Sequence, residues 1–268
     1  MWTREQLRLL LDARFSPPAI AHFLVSSQRR AGDVRRRRPE LGRQSRALIG
    51  AGALAWAAPA AAGMEPFRGH AREGLGWWAL CALMLDWHLG MVETADGRPR
   101  PLGAADALTL ARAWLAPVAL ERPTPAVLTA GFTTDVLDGI AARRLAEPTR
   151  AGRDLEGLAD LCFAGATLVG LRRRGAIGRA ASTAELGRLA TGLAYALLVY
   201  FGRARAPEAA FTRAARATTP VRAAGLIAAA TGHGRLGTWL VGLGCAASVA
   251  LTIERLAGKR ANVPQWGR

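Results

Sequence analysis

Of the six carboxylates from Asp135 to Asp160, four stand at helical spacing on two apolar segments, and this arrangement narrows what the chain can become. Asp135 and Asp138 are three residues apart and Glu156 and Asp160 four apart, so on two helices each pair shares one face. Apolar residues lead in from Ala126 to Thr134 and lead out from Leu161 to Leu171. An ionised carboxylate in such surroundings is costly unless it is paired or binds a cation. Four converging carboxylates favour the cation, because mutual repulsion would otherwise return protons to them. All-oxygen ligation suits a hard ion, Mg2+ or Mn2+, rather than zinc. The expectation is a metal site inside a membrane.

The overall charge fits that surrounding. The chain is 51% hydrophobic yet carries a formal charge of +16, a combination seldom found in a soluble domain or a disordered tail. Lys259 is the only lysine, so the charge is arginine, a bias that hints at a GC-rich bacterial genome. A basic chain can signal nucleic acid. Here the arginines lie between apolar runs without interleaved aromatics, which fits the positive-inside rule and excludes nucleic acid as the expected partner. Cys81, Cys162 and Cys245 sit in apolar stretches without a CxxC pair, so they are expected to be small buried hydrophobes.

Taken in order, Thr3 with Gln6 resembles a capping box before Leu7, Leu10 and Leu11, and Ser16-Pro17-Pro18 opens a second helix with Ile20, Phe23 and Leu24 on one face. Arg29, Arg30 and the run Arg35 to Arg38 make residues 1–46 a basic amphipathic region expected on the anionic cytoplasmic leaflet, unless the run is simply solvated. Eight apolar segments follow: Ala47 to Met64, Gly74 to Val92, Ala104 to Leu120, Thr124 to Ala142, Leu155 to Leu171, Leu186 to Phe201, Thr218 to Thr231 and Leu236 to Glu254. Several are shorter than the roughly 20 residues of a span, so their helices must extend into polar flanks. The charged leader is too long for a signal peptide, and no cleavage is expected. With a cytoplasmic N-terminus, eight spans put the loops holding Arg143, Arg144, Arg150 and Arg153, and Arg203, Arg205, Arg213 and Arg216, inside. The connection with Arg172, Arg173, Arg174 and Arg179 would then face outward, against the rule.

The acidic stretch resembles the signature of the CDP-alcohol phosphatidyltransferases, D-x2-D-G-x2-A-R-x8-G-x3-D-x3-D. Asp135, Asp138, Gly139, Ala142, Arg143, Gly152 and Asp160 match it, and Glu156 stands where the family has its third Asp. The extra methylene of Glu156 moves its carboxylate by roughly one C–C bond, about 1.5 Å, which bears on metal preference or rate more than on reaction class. Leu108-Thr109-Leu110-Ala111-Arg112 resembles the family's first core helix, N-x-x-T-x-x-R, with Asp106 in the usual Asn position. The resemblance implies an all-α, polytopic integral membrane bundle. A six-helix core would fill 104–256, with two extra spans in 47–103 before it and a cytoplasmic tail at 257–268 after it.

It implies, too, a site near the cytoplasmic face of the inner or plasma membrane. Two Mg2+ or Mn2+ ions would be held by Asp135, Asp138, Glu156 and Asp160, with Asp160 also the general base. The nucleotide of CDP-diacylglycerol would lie against Thr109, Arg112, Gly139, Ala142, Arg143 and Gly152. The reaction implied is phosphatidyl transfer to a small polar alcohol with release of CMP, by a protein that often forms a homodimer. Read from the residues alone, Arg112 can instead be an ion-pair partner of Asp106 or Asp135, and Gly139 and Gly152 can serve close helix packing. Arg153, Arg203, Arg205 and Arg222 lie at a depth suited to the acceptor, and arginine suits a phosphorylated polyol. The same four also satisfy the positive-inside rule without a ligand. Asp86 and His88 are either a functional pair in the membrane or a polar pair bonded between helices. Two other readings stay open: a non-catalytic relative acting as a scaffold, for which Glu156 argues, and a transporter, against which the lack of an internal repeat argues.

Overall fold

The computed structural model describes residues 2–94, 97–145, 149–204 and 217–261. Among them are ten α-helices and one 3-10 turn: α1 Trp2–Asp12, α2 Pro17–Arg37, α3 Pro39–Ala61, α4 Ala71–His88, the turn Leu89–Met91, α5 Ala104–Glu121, α6 Pro125–Leu145, α7 Arg150–Arg173, α8 Arg179–Arg203, α9 Thr219–Ala230 and α10 Gly234–Ala261. No strand occurs among the described residues, and one isolated bridge pairs Glu93 with Pro99.

Each of the eight apolar segments is a helix, α3 to α10, and several helix boundaries have a local cause. Pro17 and Pro39 stand in the first turns of α2 and α3, where a missing N–H costs nothing. Gly175 and Gly232, at φ of +67° and +89°, end α7 and α9 in the left-handed conformation that a side chain resists. Polar flanks are helical: α7 begins at Arg150 and α8 at Arg179. Arg172 and Arg173 form the last turn of α7, leaving only 174–178 as connection.

One local reading is corrected. The helix begins at Trp2, so Thr3 lies within it and its buried hydroxyl makes no bond as a cap. The arginine run belongs to α2 as far as Arg37, and Pro39 opens α3.

Among the described residues one helix, Gly234–Glu254, is long and apolar enough by itself to cross a membrane. The others fall short for physical reasons: α9 has 12 residues, roughly 18 Å of helix against a hydrocarbon core of about 30 Å, while α6 and α7 carry the acids. The surface nonetheless faces apolar side chains outward on most of these helices, with Leu54, Leu83, Val136, Leu198, Trp239, Leu243 and Ile253 exposed, Leu198 at 70% and Trp239 at 77%. Large exposed apolar side chains in this number suit a lipid surround better than water.

The chain divides into two compact units, 1–170 and 171–268. In the first, glycines let tryptophans into helix contacts. A Cβ on Gly52 would fall on the Trp78 ring and one on Gly74 on the Trp56 ring. Trp78 Nε1 donates to Ile49 O at 2.7 Å, and Trp114 Nε1 to Gly52 O at 3.0 Å. Trp56 packs edge-on against Trp114, with ring centroids 5.6 Å apart, so α3 and α4 are built onto α5. In the second unit, α9 and α10 cross where a Cβ on Gly237 would lie 2.6 Å from Gly225 O. Glu185, Arg188, Arg222 and Cys245 form a buried polar cluster there, with Arg222 Nη1 2.5 Å from Glu185 Oε1.

Candidate catalytic and metal centre

Three helices of the first unit converge on one guanidinium. The spacing of α5 puts Thr109 and Arg112 on one face, that of α6 does so for Asp135 and Asp138, and that of α7 for Glu156 and Asp160. Arg112 is 2% exposed and ion-paired through Nη2 with Asp138 Oδ2 and through Nη1 with Asp160 Oδ1. Asp135 Oδ1 lies 3.4 Å from Nη1, and Nε donates to Thr134 Oγ1 at 3.4 Å. Thr109 Oγ1 donates to Asp138 Oδ2 at 3.3 Å. A planar fork of fixed donors suits this role in a way a lysine would not.

Beside Arg112 the carboxylates of this site crowd together. One carboxylate oxygen each from Asp135, Glu156 and Asp160 lies within 4.8 Å of the other two, and all three residues are half-buried. Such an oxygen donor set fits a hard divalent ion. Asp138 stands apart from this trio, bonded to Arg112 and Thr109.

The start of α7 is held in place locally. Thr149 Oγ1 accepts from Gly152 N–H at 2.9 Å, capping the helix. A Cβ on Gly152 would lie 3.0 Å from that hydroxyl and 3.3 Å from Asp106 Oδ1, so the glycine permits close approach of α5 and α7. Asp106 accepts from Gly103 N–H at 2.8 Å, at the start of its own helix. Arg112 therefore finds the partner expected in Asp135, together with Asp138 and Asp160, but not one in Asp106. Thr134 and Thr149 are additions. Thr149, a hydroxyl residue directly after Pro148, carried a cap signal in the sequence, and Thr134 carried none.

The remaining candidates divide between the two units. Gly139 is half-buried on α6. The side chains of Ala142 and Arg143, and the whole of Arg205, lie outside the described residues. Arg153 and Arg203 are exposed, whereas Arg222 is buried beside Glu185 and donates to Thr219 Oγ1 at 2.9 Å. Asp86 accepts from Arg35 and from Gln28 Nε2 at 3.2 Å, and His88 Nδ1 lies 2.7 Å from Met84 O. Bonding between helices is the reading that fits Asp86. Cys245 is buried, and its thiol donates to Glu185 Oε2 at 2.9 Å.

Residues 103–265 match the family model described as CDP-alcohol phosphatidyltransferase, a span that covers α5 to α10 and all the acids of the site. Neither a curated protein nor a solved structure matches the chain.

Proposed function

The chain belongs to the CDP-alcohol phosphatidyltransferase family, and on that premise we propose that it moves a phosphatidyl group from CDP-diacylglycerol to the hydroxyl of a small polar alcohol and releases CMP. The family is membrane-integral and metal-dependent, and it works on CDP-alcohols and polar alcohol acceptors in phospholipid synthesis. The observation that carries the finer reading is the convergence on Arg112 of acids from two further helices, beside three carboxylate oxygens within 4.8 Å of one another.

Asp135, Asp138, Glu156 and Asp160 would hold Mg2+ or Mn2+, two ions on this reading. When bound, the metal supplies positive charge against the donor diphosphate and the departing CMP. Asp160 accepts the acceptor's hydroxyl proton on a carboxylate oxygen as that hydroxyl oxygen bonds to the lipid-bearing phosphorus and the bond to CMP breaks. Arg112, paired with Oδ1 of that carboxylate, orients it. Thr109, Arg112, Gly139, Ala142, Arg143 and Gly152 border the nucleotide, and small residues among them let a base and diphosphate approach the backbone. Arginines including Arg153 and Arg203, both exposed, favour a phosphorylated polyol as acceptor. The proposed setting is the cell membrane, with a cytoplasmic site and a homodimer.

The test is CMP release from CDP-diacylglycerol by detergent-purified protein with Mg2+ or Mn2+, across phosphorylated and free polyols, beside Asp160→Asn. Acceptor-dependent CMP that vanishes in the variant supports the transferase and names the headgroup. Binding of CDP-diacylglycerol without CMP from any acceptor favours a scaffold, and absence of both overturns the substrate assignment.

A further inference from the structure

Helices α1 and α2 lie outside the family match, yet they are tied to the first turn of the helix that carries Glu156 and Asp160. Arg30 of α2 donates from Nε to Gly90 O at 2.7 Å and from Nη2 to Glu93 Oε2 at 3.1 Å. Its guanidinium also sits 4.9 Å over the Trp2 ring, which fixes it from the α1 side. The contact is built for closeness: a Cβ on Gly90 would lie 3.1 Å from Arg30 Cγ and 3.4 Å from Ala31 N.

Glu93 then reaches the other way. Its backbone carbonyl accepts from Arg150 N–H at 3.0 Å, and its Oε1 lies 3.9 Å from Arg150 Nη1. Arg150 is the first residue of α7, and its N–H is one of the donors that a helix start leaves without an internal partner. Both the main chain and the side chain of Glu93 therefore hold the point from which α7 departs. Glu156 and Asp160 stand six and ten residues further on, about 9 and 15 Å along the axis. A site of this kind tolerates misplacement of only about 0.5 Å, which a small tilt of α7 against α6 would exceed.

We propose that Glu93 is a positioning residue: by bridging Arg30 and Arg150 it lets the N-terminal helices set where Glu156 and Asp160 stand relative to Asp135, and with that the affinity for the metal. The proposal rests on the reading of those three carboxylates as a metal site. It gives a task to a region that the family match does not include, and it places the control outside the acids themselves.

The experiment is an electron paramagnetic resonance titration of the full chain in detergent with Mn2+ alone, for wild type, Glu93→Gln, Arg30→Gln and the double variant, with thermal unfolding alongside. Each single change is expected to weaken Mn2+ binding about tenfold, the lower end for residues acting behind the ligands. The double variant should be no weaker than the weaker single, since both break one chain. At saturating Mn2+, CMP release should return towards wild type. Arg30→Gln lies away from α7 and keeps the test available if Glu93→Gln does not fold. Unchanged Mn2+ affinity in the variants, with or without a fall in melting temperature, makes the bridge a mere brace and overturns the proposal. Wild type that binds no Mn2+ overturns the metal reading itself and this inference with it, a result distinct from the former.

Discussion

Arg112 on α5 is ion-paired with Asp160 on α7, 48 residues further along the chain, while its other arm holds Asp138 on α6. One side chain therefore fixes the relative placement of three helices and sets the charge of the site. A lysine in its place offers a point charge that cannot serve both acids.

Arg112→Lys is therefore expected to lower CMP release by about 100-fold, the scale of losing one fixed electrostatic partner. Arg112→Ala should cost more and also lower stability, because it takes the cation from the buried Asp138 and the half-buried Asp160. Activity at saturating substrate and thermal unfolding, measured together, check both. Near-wild-type turnover in Arg112→Lys would mean that the fork is dispensable.

Glu156→Asp restores the family residue at the third acidic position. It shortens the side chain by one methylene and withdraws an oxygen that now lies within 4.8 Å of those of Asp135 and Asp160. The expected outcome is a change in the ratio of Mg2+- to Mn2+-supported activity, with maximal rate altered by no more than about tenfold, the lower end for a change around a metal. Rates with each ion across a concentration series decide it. An unchanged ratio would remove Glu156 from the ligand set.

What the sequence discloses here and what it hides follow from the range of the interactions. Eight apolar segments became α3 to α10 because hydrophobic runs, prolines at helix starts and glycines at helix ends act within a few residues. The family motif marked the acids on α6 and α7 and the pair Thr109 and Arg112 on α5. Arg112's choice of Asp138 and Asp160 over Asp106 was hidden, since it depends on how three helices are rotated about their axes. The engagement of Asp86 by Arg35, 51 residues earlier, was hidden for the same reason. So was the burial of Arg222 against Glu185: periodicity shows that a face exists but not what meets it.

The tryptophan contacts give a test of that packing. A Cβ on Gly74 would fall on the Trp56 ring, which Phe67 and Trp114 hold from other sides. Gly74→Ala should therefore destabilise the chain by about 1–3 kcal/mol, the range for an overfilled core. Trp56→Leu, which shrinks the obstacle, should recover part of that loss when the two are combined. Denaturation of the single and double variants measures the coupling, and simple additivity would show that the two residues do not meet.

Glu185 separates a structural from a ligand-binding role for Arg222. Its carboxylate accepts from Arg188 at 2.6 and 2.8 Å, from Arg222 at 2.5 Å and from the Cys245 thiol at 2.9 Å. Glu185→Gln removes the carboxylate charge that Arg222 and Arg188 share, and breaking one half of such a buried pair costs about 3–5 kcal/mol. Replacing both Glu185 and Arg222 by leucine removes the buried charges together and should cost far less than the single change. If Arg222 instead serves the acceptor, Glu185→Gln will leave unfolding unchanged and Arg222→Lys will raise the acceptor KM at constant stability. Unfolding curves and acceptor kinetics on these variants give opposite results for the two roles. The burial of Arg222, its hold on Thr219 and the packing of its side chain against Gly244 favour the structural one.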